Sequence, residues 1–160
     1  MSKLLVVKND SVEGTDKHNV SGTAKPPPPG EPYIGVGEFD YVGKMTDQLS
    51  DFVKIDGSPA ALIISKSSLN PGEDVTPTGK HSGPKGNRFV PAAPPPIKAS
   101  LKIEGDPIGE GNPSDEAGSS FLRIDGDRVL LDGDPIDTCD GLGNVSTVTA
   151  EHQDFVSASE

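Results

Sequence analysis

One short sequence pattern occurs twice in this chain of 160 residues and constrains its fold more than any other feature. Residues 52–57 read Phe-Val-Lys-Ile-Asp-Gly, and residues 121–126 read Phe-Leu-Arg-Ile-Asp-Gly. In both copies apolar residues alternate with polar ones and run into an Asp-Gly pair, which is the pattern of a short, half-buried strand that enters a tight turn. Repeated strand-turn units predict repeated substructures.

The repetition extends outward from these two units. A proline run lies upstream of each unit, at residues 26–29 and 94–96, and a Lys-His pair lies upstream of each proline run, ending at His18 and His81. The third histidine, His152, follows the second Asp-Gly pair much as His81 follows the first. We therefore expect the three histidines at equivalent points of a repeat of roughly 63 to 71 residues.

A second alignment competes with this one. Residues 53–59 also match residues 101–107 and 129–135, which gives three strand-Gly-x-Pro units. Both alignments predict internal repetition, and they differ in its register.

The composition predicts a thin hydrophobic core. Only 32% of the residues are hydrophobic and 4% are aromatic, while Gly (19) and Pro (16) are abundant. Such a composition approaches that of low-complexity chains, so a flexible secreted linker is one interpretation. The repeat and the clean strand patterns oppose it, because Gly and Pro punctuate those patterns evenly. The sequence predicts an all-β fold of short strands and Gly/Pro-rich loops.

The chain length is that of one domain. We predict a single β domain over residues 1–155 with long proline-rich loops, followed by a loose tail at 156–160. The individual elements are a first strand at 4–7, a loop at 9–32, strands at 33–36 and 39–42, a return strand at 61–64 and a last strand at 145–149.

Charge and apolar patterning exclude several classes of function. A net charge of −11 argues against binding to nucleic acid, which depends on clustered Lys and Arg. No apolar run approaches the ~18 residues of a membrane-spanning helix, and residues 3–8 are too short for a signal peptide. We therefore expect synthesis in the cytoplasm. A single cysteine, Cys139, excludes an internal disulfide framework.

Four residues make up the full set of histidine and cysteine ligands: His18, His81, Cys139 and His152. Four is the number that a closed tetrahedral zinc site takes, and such a site would stabilise a chain with little apolar content. No short Cys-x-x-Cys or His-x-x-x-His spacing supports it, and three surface histidines with one buried cysteine is the plainer interpretation. The equivalent placement of the histidines in the repeat favours the metal site.

The sequence predicts no enzymatic activity. Carboxylate pairs such as Asp125 with Asp127 and Asp132 with Asp134 lack the twelve-residue calcium-loop pattern and are better explained as turn residues. A Gly-x-Ser-x-Gly elbow and a phosphate-binding loop with Gly-Lys-Ser/Thr are both absent from the sequence.

Two segments resemble a known family. Residues 55–61, Ile-Asp-Gly-Ser-Pro-Ala-Ala, resemble the signature of the PAAR-repeat proteins, which are named for Pro-Ala-Ala-Arg. Residues 124–126 and the later Asp-Gly-Asp at 132–134 resemble the same motif with its trailing Gly-Asp. The chain departs from the motif at Leu62, where the family has Arg, and at 128–130, where Arg-Val-Leu replaces Pro-Ala-Ala. The resemblance covers about residues 4–155.

The resemblance implies a small β-structured cone with pseudo-threefold repetition. It also implies a function: a structural spike-tip protein that caps the trimeric β-helical spike of a contractile injection machine and sharpens it for piercing the target envelope. Type VI secretion systems, phage tails and extracellular tail-like particles are such machines. One cap per spike trimer is expected, assembled at the tip of the particle and extracellular on delivery. The target membrane would be pierced rather than bound, and whether an effector is carried as cargo is left open.

A structural metal ion near the tip, held by three His and one Cys, is a further implication of the resemblance. It assigns His18, His81, Cys139 and His152 to one zinc or iron ion. A different class of function remains as an alternative, a soluble metal-dependent enzyme or small-ligand-binding protein.

Overall fold

A computed structural model of the chain describes residues 1–24, 31–68, 81–82, 100–104, 109–138 and 146–160. These residues contain β-strands and no helix, so the predicted all-β fold class is confirmed. The strands are β1 (Ser2–Leu4), β2 (Ser11–Ala24), β3 (Glu31–Asp47), β4 (Lys54–Ile55), β5 (Ser58–Pro59), β6 (Lys66–Ser68), β7 (His81–Ser82), β8 (Ser100–Glu104), β9 (Glu110–Pro113), β10 (Arg123–Ile124), β11 (Asp127–Arg128), β12 (Pro135–Asp137), β13 (Ser146–Thr149) and β14 (Ser157–Ser159).

Six strands close into an antiparallel barrel in the order β3-β6-β9-β12-β13-β2, and the pairing of β2 with β3 completes it. Side chains alternate between the interior and the outside, as in β13, where Ser146 and Val148 are buried and their neighbours exposed. The interior is packed tightly: a Cβ on Gly14 would lie 2.6 Å from the Ser146 Oγ. Tyr41 is fully buried, and its hydroxyl group lies 2.8 Å from the Ser67 Oγ, which satisfies a polar group inside the core.

Strands β2 and β3 continue beyond the barrel as one long hairpin. β13 pairs with β2 only at residues 11–13, whereas β2 and β3 stay paired as far as Ala24 and Glu31. Eleven strand residues span on the order of 35 Å. The loop predicted at 9–32 is therefore wrong over most of its length, and the two short strands predicted at 33–36 and 39–42 are one strand. β8 also pairs with β2 at residues 19–23, so ladder hydrogen bonds on both edges hold a sequence that lacks apolar alternation.

A ring of three short segments closes the other end of the barrel. The segments are residues 5–7, 60–62 and 129–131, and bridges join each to the next: Val7 to Ala60, Leu62 to Val129, and Leu131 to Leu5. The middle residues form a closed cycle of backbone hydrogen bonds: Ala61 N–H donates to Val6 O (2.9 Å), Val6 N–H to Leu130 O (3.0 Å) and Leu130 N–H to Ala61 O (3.0 Å). The chain thus folds with pseudo-threefold symmetry at this end.

The ring separates two hydrophobic cores. The middle residues of the three segments, Val6, Ala61 and Leu130, belong to the barrel core. The outer residues belong to a second core on the other side, completed by apolar side chains of the hairpins: Leu5, Val7, Ala60, Leu62, Val129 and Leu131 with Ile55 and Ile124. Period-2 alternation explains the division, because successive residues of an extended segment point to opposite faces.

Three equivalent two-stranded sheets cover the second core. Two are the predicted Asp-Gly hairpins, β4–β5 and β10–β11. Both central turn residues have positive φ, 48° and 81° at Asp56 and Gly57 and 52° and 92° at Asp125 and Gly126. This is the backbone of a type I′ turn, which explains the Asp-Gly pair. The return strand predicted at 61–64 is wrong in position: the hairpin returns at Ser58–Pro59, and residues 60–62 belong to the ring.

The third sheet joins the two ends of the chain. β1 pairs antiparallel with β14, with Leu4 opposite Ser157 and Ser2 opposite Ser159. The loose tail predicted at 156–160 is thus a paired strand. The third copy of the repeat is neither residues 101–107 nor a continuous segment, since the C-terminal strand and the N-terminal strand build it together.

Candidate functional site

The backbone places two of the predicted metal ligands in one cross-strand row. His18 in β2 is opposite Gly37 in β3, and Gly37 is opposite His81 in β7. In such a row two strand spacings separate the backbones of the outer residues by about 10 Å. The position between them carries no side chain. The register therefore brings these histidines together, beyond the barrel and away from the ring.

His152 lies at the opposite end of β2. Its Nδ1 is 2.8 Å from Oδ1 of Asp10, the residue that precedes β2, and its backbone N–H donates to the same oxygen (2.9 Å). Eight residues of extended chain, on the order of 25 Å, separate Asp10 from His18. The structure does not bring His152 to the row of His18 and His81.

Whether the three histidines are equivalent depends on how the three copies of the repeat align with one another. Backbone N–H groups of Val53, Leu122 and Val156 are bonded by side chains three residues earlier, at Ser50, Ser119 and Gln153. His152 thus corresponds to Leu49 and Gly118. The alignment of His152 with His81 is wrong because the third hairpin is split between the chain ends.

Cys139 lies outside the described residues. The residue before it, Thr138, is buried, and its Oγ1 lies 3.1 Å from the Ser146 Oγ in the barrel. Where side chains are described, no group of three or more His, Cys, Asp or Glu residues is placed to hold a metal ion. The four-residue metal site stays a prediction, and His152 is the member that the structure sets apart.

Each ring segment ends in a turn capped by a polar side chain. Asp10 Oδ2 accepts the N–H of Val7 (2.7 Å), Ser65 Oγ that of Leu62 (2.8 Å), and Asp134 Oδ2 that of Leu131 (2.7 Å). These residues are buried although polar, and each accepts from the residue three positions before it. The sequence predicted turn chemistry for Asp134, and its bonds agree, whereas nothing local marked Asp10 or Ser65 as equivalents.

Asp134 also accepts the N–H of Gly118 at 2.8 Å. Burial raises the pKa of its carboxyl group above the ordinary value, while hydrogen bonds from the Leu131 and Gly118 backbone and the charge of Lys3 partly offset the rise. Burial therefore disfavours the ionised carboxylate, and the two hydrogen bonds that it accepts partly compensate.

The threefold end exposes three phenylalanines, Phe52, Phe121 and Phe155. The first two open the repeated hexapeptide, and Phe155 occupies the same place before β14. The sequence alone does not mark Phe155 as a third copy, because Phe-Val-Ser-Ala-Ser has neither the Ile nor the Asp-Gly of the other two.

A groove of about 440 Å³ lies beside the terminal sheet. Lys3 and Glu160 form an ion pair there, and Arg128 Nη2 donates to the Asp115 carbonyl (2.6 Å). Asp134 accepts the backbone N–H groups of Gly118 and Leu131. These four charged groups already bond to the protein itself, so they give no sign of a ligand.

Comparisons of the chain with protein-family models, with curated proteins and with solved structures found no match. The described residues include no helix that is long and apolar enough to cross a membrane.

Proposed function

We propose that this protein is a structural spike-tip protein, which caps the trimeric β-helical spike of a contractile injection machine and sharpens it for piercing the target envelope. The proposal rests on the fold of one end of the molecule together with the resemblance of residues 55–61 and 124–134 to the PAAR signature.

The ring of residues 5–7, 60–62 and 129–131 is the observation that carries the proposal. In a single chain, the bridge, the backbone hydrogen bond between middle residues and the capped turn each occur three times around a closed ring. A homotrimer repeats its own surface at steps of 120°, so each of its subunits can meet the same local structure on such an end. A trimer of β-strands also ends in unpaired edges that need covering, and a threefold cap covers all three.

The long hairpin would form the distal part of the tip. β2 starts at the ring and runs through the barrel, and His18 and His81 share their row beyond it. This row supports a metal ion at the distal part with these two histidines as ligands, and Cys139 remains a predicted third. Such an ion would fasten β2, β3 and β7 together and stiffen the hairpin. No catalytic role is proposed for it.

Stoichiometry tests the proposal directly. The purified protein mixed with the trimeric spike protein of the same organism should give a complex of one cap and three spike chains in native mass spectrometry. Binding of three caps per trimer, or none at equal micromolar concentrations, would contradict it.

A further inference from the structure

The three exposed phenylalanines are the feature that the ring and the barrel leave unexplained. The side chains of Phe52, Phe121 and Phe155 are 67%, 78% and 64% exposed. Every phenylalanine whose side chain the structure describes is among them. A chain with so few aromatic residues would be expected to bury them, and exposed aromatic groups at defined positions mark interaction sites.

The same turn holds each phenylalanine in place. A polar side chain bonds the backbone N–H of the following residue, at 3.0 Å from Ser50, 3.1 Å from Ser119 and 2.8 Å from Gln153. The carbonyl group of that following residue then accepts the first N–H of a ring segment: Val53 O from Ala60, Leu122 O from Val129 and Val156 O from Leu5. The three aromatic groups are thus tied to the ring by equivalent bonds, so their exposure is a property of the fold.

Gln153 shows that the arrangement is maintained with different residues. Its Oε1 takes the place of the two serine hydroxyl groups, and its Nε2 donates to Leu5 O (2.7 Å) and Val156 O (3.0 Å). Different chemistry therefore produces the same turn under the third phenylalanine. Structural equivalence at all three sites, despite a split third copy, favours a role that needs three anchors.

We infer that Phe52, Phe121 and Phe155, which we name the phenylalanine triad, are the anchors that dock this end onto a threefold-symmetric homotrimer, one phenylalanine to an apolar pocket on each subunit. This inference rests on the proposed function and adds to it the residues that make the contact. Buried aromatic anchors are the typical hot spots of such interfaces.

Symmetry and charge decide between the occupants of this surface. A closed homotrimer offers three identical pockets around one axis, which matches three equivalent anchors. A second copy of this chain would bring another net charge of −11 toward the same face, and like charges repel. The three sheets next to the triad, β4–β5, β10–β11 and β1–β14, have only two strands each, so they can also pair with strands of the partner.

Single and combined substitutions test the triad against the purified trimeric spike protein. Phe52→Ser, Phe121→Ser and Phe155→Ser should each weaken the affinity about 10-fold to 100-fold, by similar factors, and the triple variant should abolish measurable binding. The control is Val42→Ser, which removes an exposed apolar side chain (64%) from β3 in the barrel wall. It should bind like the unmodified protein, and all variants should keep its melting temperature.

The outcomes separate the two proposals. If the unmodified protein binds the trimer and the triple variant binds equally well, the triad inference fails and the proposed function stands. If the unmodified protein does not bind the trimer, both fail. If sedimentation shows that the unmodified protein forms a dimer that the triple variant cannot form, the occupant is a second copy and the inference is overturned.

Discussion

At the scale of single residues, Asp134 shows how buried polar groups hold the ring. Its carboxylate accepts the backbone N–H groups of Leu131 and Gly118, and burial raises its pKa. A carboxyl group with a raised pKa binds its proton more tightly in the folded chain than in the unfolded one. The contribution of Asp134 to the free energy of unfolding is therefore greatest below its ordinary pKa and falls as the pH rises toward the raised folded value.

Asp134→Asn should keep both accepted hydrogen bonds, because the amide oxygen can replace Oδ2, and should remove this pH dependence. We expect an unfolding free energy at pH 7 no lower than that of the unmodified protein, with a flatter profile as the pH rises above the ordinary pKa of the carboxyl group. Asp134→Ala is the contrast: it leaves two N–H groups without this acceptor and should cost about 2 to 4 kcal/mol. Urea titrations at several pH values measure both, and an equal loss in the two variants would contradict the prediction.

At the scale of elements, strand register separates the predicted metal ligands into two groups. His18 and His81 flank Gly37 in one row, whereas His152 bonds Asp10 at the start of β2. We expect His18→Ala and His81→Ala to lower the metal content of the purified protein below half of that of the unmodified chain. His152→Ala should leave it unchanged, because about 25 Å of strand lies between Asp10 and His18. Elemental analysis by mass spectrometry gives metal per chain, and equal losses in all three variants, or a metal-free native protein, would refute this placement.

The elements also show what the sequence could and could not predict. The β4–β5 and β10–β11 hairpins were predictable, because a type I′ turn needs residues that tolerate positive φ and Asp-Gly supplies them. The long β2–β3 hairpin was not, since a strand bonded on both edges can form from a polar sequence of Gly, Ser and Thr. β14 was not predictable either, because its partner β1 lies at the other end of the chain and local patterns carry no signal for that pairing.

At the scale of the whole molecule, the ring at the threefold end arises from three segments that share almost no sequence. Val6, Ala61 and Leu130 close the hydrogen-bond cycle, and what they have in common is an apolar side chain. The cycle is made of backbone groups, so it requires only that the three segments arrive extended and in register. Repetition was visible where the Asp-Gly turns required special residues and invisible where the backbone alone makes the contact. The sequence could therefore predict an all-β repeat but could not place its third copy.

This symmetry predicts that the chain can be circularly permuted. Val156 and Leu5 are hydrogen-bonded as Val53 and Ala60 are, so Ser159 and Ser2 stand at the two positions that Asp56 and Gly57 fill in β4–β5, and Glu160 and Met1 lie beyond them. A permutant that omits Glu160 and Met1, replaces Ser159 and Ser2 by Asp-Gly and opens between Asp125 and Gly126 exchanges one equivalent hairpin for another.

We expect this permutant to keep its β-type circular dichroism spectrum and to unfold within about 2 kcal/mol of the original chain, because the new turn resembles the one it replaces. A permutant with the same new turn that opens between Tyr41 and Val42 is the control. It cuts β3 inside the barrel beside a fully buried Tyr41 and should not fold. Thermal and urea unfolding of both compare them, and equal failure would mean that the terminal sheet is not equivalent to the two Asp-Gly hairpins.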